Sequence, residues 1–257
     1  MTLTAAGFPA ISDATQPQYK IPMRCFISLA TALAMSGTLL AADSAPKDNV
    51  KNAARKLAAA DNYSWTTTIE SSQFQPGPSH GKTEKGGFTY VDFNFQDNTT
   101  EAFAKDGKGA IKGQDGWKGL AEAAKDEGDG GFNFLRFLAM RMQDYKTPAA
   151  EAEDIAGNTK ELTQSADAYS SDLTEDGAKS LLAFRARSGD GPTVSNAKGS
   201  VKFWIKDGVI TKYQFKVQGT MNFGGDDRDI DRTTTVEIKD VGATKVVVPD
   251  EAKAKVS

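Results

Sequence analysis

The sequence predicts an α+β domain whose sheet is mostly antiparallel. Two hairpin signals, one around Lys105-Asp106-Gly107 and one at 206–208, join segments in which apolar residues alternate with polar ones. The chain shows no regular alternation of strands with helices, which argues against a parallel sheet. Its 257 residues are 25% charged and 39% hydrophobic, a composition that fits a soluble globular protein and excludes a polytopic membrane protein.

The charge and the rarest residues exclude several classes of site. The 31 basic and 34 acidic residues give a net charge of −3, with no sign of a nucleic-acid-binding surface. The one cysteine, Cys25, has no partner for an internal disulfide, and together with the single His80 it cannot form a four-ligand zinc site. We therefore expect no metal, no cofactor and no nucleic-acid partner.

The first 42 residues have the layout of a secretory signal peptide. Arg24 supplies the positive n-region, an apolar stretch covers 26–40, and small residues follow at Ala41 and Ala42. The alternative is an uncleaved anchor helix, but the stretch is shorter than the roughly 20 residues that a span needs. Residues 1–42 are thus predicted to be an N-terminal extension and signal peptide, with Met1 and Met23 both open as the start.

The remaining residues, 43–257, are predicted to form a single domain. Cys25 precedes the apolar stretch and is therefore not a lipobox cysteine, so the mature chain would carry neither a lipid anchor nor a stable membrane span. It would hold 29 basic and 33 acidic residues over 215 positions. A chain of that length can bury a full core, and we expect it in the periplasm or secreted.

Four segments have helical periodicity. Thr147-Pro148 has the form of an N-cap followed by a proline at the first helical position. The segment at 132–145 carries large apolar residues on more than one face, with Leu135, Leu138 and Met142 as its structural seam. The predicted helices are 47–60, 132–145, 147–157 and 174–184.

Alternating apolar residues predict the strands. A three-residue loop at Lys206-Asp207-Gly208 keeps the apolar residues of two neighbouring strands on one face, whereas a two-residue loop would flip them. Near Val91-Asp92 the aromatic residues change face, which implies a bulge or burial on both sides. The predicted strands are 63–70, 88–95, 99–104, 108–112, one within 160–171, 201–206, 209–217, 234–238 and 245–248, with loops at 75–81 and 188–198.

No group of residues has the pattern of a catalytic or metal site. His80 falls in a Pro/Gly/Ser loop, where nothing holds it between a nucleophile and an acid. The run Asp226–Asp231 matches three calcium-ligand positions of an EF-hand, but Arg232 and Ile238 stand where the pattern needs Gly and Glu, so we expect a solvated turn. The Gly-rich segment 128–131 lacks the Lys-Ser/Thr of a phosphate-binding loop. An enzyme is therefore not expected.

The large apolar residues of the helix at 132–145 predict a ligand site. They are too many for one core-facing stripe, so either a second layer covers them or they face a cavity and a ligand. We expect the cavity, lined from the helix and from the sheet. The predicted ligand-binding residues are Trp65, Phe134, Phe137, Met140, Phe203, Tyr213 and Phe215.

The order of these features resembles the LolA/LppX–LprG-like lipoprotein-carrier superfamily. The resemblance rests on Val50–Leu57 before Tyr63-Ser64-Trp65, on GSVKFWIKDGVITKYQFKVQG at 199–219, and on the ending VVVPDEAKAKV at 246–256. It covers nearly all of the chain after residue 43 and is architectural. It implies a half-barrel, a curved sheet whose concave side is covered by helices over an apolar cavity for acyl chains.

The same resemblance implies a non-enzymatic carrier of lipids or acylated proteins in the bacterial cell envelope. None of the superfamily's ligand-contacting residues maps onto a numbered position here. The alternative is a structural or protein-interaction module of the envelope with a solid core. An apolar cavity of about 300 Å³ or more would favour the carrier.

Overall fold

Strands dominate the described part of the chain. The computed structural model describes residues 45–73, 75–95, 98–126, 133–183, 193–223 and 225–256. The helices within these ranges are α1 (Pro46–Ala58), α2 (Leu120–Ala123), α3 (Phe134–Gln143), α4 (Pro148–Gly157), α5 (Glu175–Leu182) and α6 (Asp250–Lys253). The strands are β1 (Asn62–Ser71), β2 (Ser79–Glu84), β3 (Thr89–Phe95), β4 (Asn98–Lys105), β5 (Lys108–Gly113), β6 (Gly116–Gly119), β7 (Thr163–Ser165), β8 (Ala168–Asp172), β9 (Thr193–Lys206), β10 (Val209–Phe223) and β11 (Asp226–Lys239).

All eleven strands belong to one antiparallel sheet. Its order is β6-β5-β4-β3-β2-β1-β11-β10-β9-β8-β7, so β1 pairs with its neighbour β2 on one side and with the last strand, β11, on the other. The terminal strands β6 and β7 do not pair, and the sheet is an open, curved half-barrel. The predicted α+β class with a mostly antiparallel sheet is confirmed.

Five helices cover one face of the sheet and form the main core with it. The predicted helical stripe of α1 is buried at Val50, Ala53, Ala54 and Leu57. Helices α1 and α5 lie over β9 and β10, whereas α2 and α3 lie over β4, β5 and β6. Among the described helices, none is long and apolar enough to cross a membrane.

The opposite face carries a second, smaller core that the sequence did not predict. Phe103 and Trp117 are buried there, and Val248 and Ala252 cover them from the C-terminal segment. Residues 245–248, predicted as a strand, have no regular secondary structure; α6 follows them. Tyr90 packs on Phe103 with ring centroids 5.1 Å apart.

The aromatic change of face in β3 comes from burial on both sides. Its register with β4 is continuous from Thr89 to Phe95, without a bulge. Tyr90 therefore joins the outer core, while Val91 and Phe93 belong to the main core.

The turn between β9 and β10 differs from the prediction. Asp207 and Gly208 both have positive φ, +55° and +72°, and form a two-residue turn that pairs Lys206 with Val209. A register shift between Ile210 and Lys212 then adds one residue to β10. The shift pairs Tyr213 with Phe203 and restores the apolar residues to one face, so the predicted face was right and the predicted loop was wrong.

Four further segments differ from the prediction. His80 and Gly81 lie in β2 and not in a loop, because they pair with Thr66 and Trp65 of β1. The 160–171 segment holds two short strands, β7 and β8. β9 begins at Thr193, inside the predicted loop at 188–198, and Asp226–Asp231 pairs with β10 as strand instead of forming a turn. Phe132 and Phe184, at the ends of predicted helices, lie outside the described residues.

Candidate binding site on the concave face

The concave face of the central strands lies between two groups of helices. The helices have their main contacts with the two flanks of the sheet, β4 to β6 and β9 to β10. Between these flanks run β3, β2, β1 and β11. Along β1 and β11, Thr67 faces Val236, Ile69 faces Thr234 and Ser71 faces Arg232. These central strands form a strip whose concave side chains are buried at Trp65, Val91 and Val236 and half-buried at Thr67, Ile69 and Phe93.

Several large apolar side chains beside this strip are only half-buried. Ile69 and Phe93 on the sheet and Phe137 on α3 all keep part of their surface accessible. Phe134 of α3 packs on Phe95 of β3 with ring centroids 5.5 Å apart. An apolar surface that is neither sealed in the core nor fully open to water is suited to covering by an apolar ligand.

Trp65 lies at the start of the strip and belongs to the packed core. It is 2% exposed, and its ring is stacked on Tyr145 at 6.3 Å between centroids and tilted against Tyr63 at 5.7 Å. Tyr63 in turn accepts a hydrogen bond from the backbone N–H of Ala149 at the start of α4, at 3.4 Å. These contacts tie β1 to α4 and to the segment that leaves α3.

A cavity of about 190 Å³ is lined in part by Tyr145, the residue that stacks on Trp65. It lies between the β2–β3 and β4–β5 turns and the C-terminal end of α3. Its wall combines Met142 and Tyr145 with polar residues such as Glu84 and Gln143. It is smaller and more polar than the apolar cavity expected from the sequence.

The Glu151 side chain of α4 lies close to three tyrosines, Tyr63, Tyr145 and Tyr213. The Tyr213 hydroxyl donates a hydrogen bond to Glu151 Oε2. Burial raises the pKa of Glu151, while this hydrogen bond and the charges of Arg141 and Arg232 oppose the rise. Burial also raises the pKa of Tyr145, and the negative charge of Glu151 adds to that effect. The interior under α4 is therefore polar in a layer that is otherwise apolar.

Arg232 brings a positive charge into the concave row of β11. One of its terminal nitrogens donates to the Leu181 carbonyl at the end of α5, at 2.6 Å. Its Nε is buried and has no hydrogen-bond partner among the described residues. Burial lowers the pKa of Arg232 to about 10, and the charge of Arg141 contributes in the same direction. Leaving such a donor unpaired costs about 1–3 kcal/mol.

The structure separates the predicted ligand-binding residues into three environments. Trp65, Phe203, Tyr213 and Phe215 are core residues, none more than 4% exposed. Phe134 and Phe137 are half-buried beside the concave strip. Met140 is 38% exposed on α3. Their role in ligand binding stays a prediction.

Sequence reasoning missed Glu151, Tyr145 and Arg232. For Arg232 a signal existed, because alternation along β11 places it on the same face as Thr234 and Val236. A cation in a row with Val236 is unusual, and this is the signal that marks Arg232 in the sequence. For Glu151 no local signal existed, since α4 has acidic residues at several positions.

His80, Asp229 and Asp231, the polar residues weighed above as possible catalytic or metal-binding groups, lie on the outer face of the sheet. His80 is exposed there, with its Nδ1 3.2 Å from the Asp92 carboxylate. Asp229 and Asp231 accept hydrogen bonds from Thr220 and Gln218 across the β10–β11 ladder. No group of three or more potential metal ligands occurs in the ranges that the structure describes. A groove of about 320 Å³ beside these residues is lined mainly by polar side chains.

Comparisons with known proteins give structural neighbours only. No protein-family model matches the chain, and no curated protein matches it. It is similar to the crystal structure of LprF from Mycobacterium bovis, with a TM-score of 0.42 and 10% identity over 80% of this chain and 97% of that one. It is also similar to lipoprotein LppX of Mycobacterium tuberculosis, with a TM-score of 0.44 and 8% identity over 80% of this chain and all of that one.

Proposed function

We propose that this chain is a non-enzymatic binder of lipids or other acylated molecules on the concave face of its sheet. The observation that carries the proposal is the half-buried apolar surface of Ile69, Phe93 and Phe137 together with the half-buried charges of Arg232 and Glu151 on the same face of the sheet. An amphiphile has the same two parts, because its chain covers apolar surface and its head needs polar partners.

The proposal includes export. Its basis is the order of Arg24, the apolar stretch at 26–40 and the small residues Ala41 and Ala42. Removal of residues 1–42 would release the domain into the periplasm or the medium. There it would meet envelope lipids and acylated proteins as its partners.

The second candidate is a structural or protein-interaction module with a solid core. The close packing of Phe203, Tyr213 and Phe215 favours it, since these residues leave no room for a chain beneath α1 and α5. The polar linings of the two cavities described above favour it as well. The two candidates differ in whether the half-buried strip is covered by a ligand.

Native mass spectrometry of the protein purified from its own envelope distinguishes them. We expect a bound lipid as an added mass that organic extraction removes. Lipid-free protein that also fails to bind a fluorescent fatty acid would contradict the proposal and leave the solid-core module.

A further inference from the structure

Arg232 is the residue whose chemistry is least accounted for by the fold. Its neighbours in the concave row of β11 are Ile230 and Thr234, and its partners across the ladders are Ser71 of β1 and Val217 of β10. Neither partner carries a negative charge. The guanidinium donates to one backbone carbonyl, that of Leu181, and its Nε is buried with no hydrogen-bond partner in the described part of the chain.

The contacts of Arg232 with the described residues do not include a salt bridge. Glu151 is the acidic group that acts on it, and the Glu151 carboxylate accepts a hydrogen bond from the Tyr213 hydroxyl. The positive charge of Arg232 is therefore not matched by a carboxylate bonded to it. An anion that reached the buried Nε would be attracted strongly, because electrostatic attraction is strong where water is scarce.

We infer that Arg232 makes this site selective for amphiphiles with a single anionic head group, with a fatty-acid carboxylate as the simplest case. The inference rests on the proposed function. The carboxylate would pair with the guanidinium of Arg232 and satisfy its free Nε, since arginine binds carboxylates through two parallel N–H donors. The apolar chain would extend over the central strands toward Ile69 and Phe93.

A purely structural role for Arg232 makes a different prediction. The bond to Leu181 caps the C-terminal end of α5, where cations are favourable. A cap would affect the stability of the fold, but it would not distinguish an acid from an alcohol of the same chain length. Ligand preference is therefore the decisive measurement.

The test compares laurate with dodecanol by isothermal titration calorimetry, both below the concentration at which they aggregate. We expect the unmodified protein to bind laurate about tenfold or more tightly than dodecanol. Arg232→Gln should remove the preference, so that laurate binds no more tightly than dodecanol. Arg228→Gln removes the same charge from an exposed position of the same strand and should keep the preference.

The outcomes separate this inference from the proposed function. If neither ligand binds the unmodified protein, the proposed function fails. If both bind equally, or if Arg232→Gln keeps the preference, lipid binding stands and the selectivity of Arg232 is refuted. The first comparison needs no variant, so it decides even if Arg232→Gln does not fold. If inorganic phosphate alone binds and this binding depends on Arg232, the site is a small-anion site. That result would refute the inference that Arg232 selects anionic amphiphiles.

Discussion

Trp65 and Gly81 are directly opposite each other across the β1–β2 ladder, and the indole ring lies over the glycine. A Cβ atom at position 81 would lie 2.0 Å from two ring carbons of Trp65. Real side chains do not tolerate that distance, so the ring occupies the space that any other residue would fill. The absence of a side chain at Gly81 thus allows the packing of Trp65 on Tyr63 and Tyr145.

Gly81→Ala is expected to destabilise the fold by about 1–3 kcal/mol, since the indole must leave its place between Gly81 and Tyr145. Thermal unfolding measures the loss, and the emission of Trp65 should shift in a background where Trp117 and Trp204 are Phe. Gly157→Ala is the matched control, because a Cβ there meets only the distant end of the Lys51 side chain at 4.0 Å. Equal melting temperatures for the two variants would contradict the role of Gly81.

Phe137→Asp is expected to weaken binding of a fluorescent fatty acid about tenfold or more, because it places a charge against the apolar strip. The melting temperature should change little, since Phe137 is only half-buried. Met140→Asp carries the same charge one turn later, at a position that is 38% exposed. Normal binding by this variant would show that Met140, which the sequence predicts to be a ligand-binding residue, lies outside the site.

Leu138 completes the comparison on the same helix. It is 3% exposed, and Leu138→Asp should lower stability by several kcal/mol, as expected for an unpaired charge in a core. If Phe137→Asp behaved like Leu138→Asp, α3 would present a solid core on both sides and the strip would not be a ligand surface.

Glu151→Gln is expected to change the pH dependence of stability. The pKa of Glu151 is raised above its ordinary value of 4.5, so the folded state holds the proton more tightly than the unfolded state. Ionisation therefore costs stability as the pH rises through the folded pKa, and this cost is absent below 4.5. The glutamine avoids that cost at every pH.

The measurement is the melting temperature of Glu151→Gln minus that of the unmodified protein. It should fall as the pH is lowered from about 7.5 to about 4. Glu153→Gln controls for the loss of a carboxylate from the same helix, at a position that pairs with Arg55 on the surface. A difference for Glu151→Gln that does not vary with pH would contradict the burial of its carboxyl group.

The exported protein is expected to contain no thiol. Cys25 is the only cysteine and lies before the predicted cleavage site near Ala42. Maleimide labelling should modify the precursor retained in the cytoplasm and fail with the exported form, and intact mass should show the loss of residues 1–42. Labelled exported protein would show that the segment is retained.

Much of the sheet could be predicted from the sequence because alternation is local. In β9 and β10 the positions of Val201, Phe203, Tyr213 and Phe215 specify one apolar face without reference to the rest of the chain. That face is the one buried in the structure. The same reasoning failed at the turn, where Asp207-Gly208 adopts a two-residue form and a bulge corrects the register. Apolar alternation reports which residues share a face and not how the chain reaches that register.

The α+β class, the α1 stripe and the apolar faces of the long strands could be predicted from local sequence, since each depends on residues a few positions apart. The polar groups that enter the concave layer could not, because they depend on tertiary packing. Glu151 meets Tyr213 across 62 positions, and Arg232 meets Leu181 across 51. Such contacts follow from how the helices settle on the sheet, a property of the whole packed chain for which no short segment carries a signal.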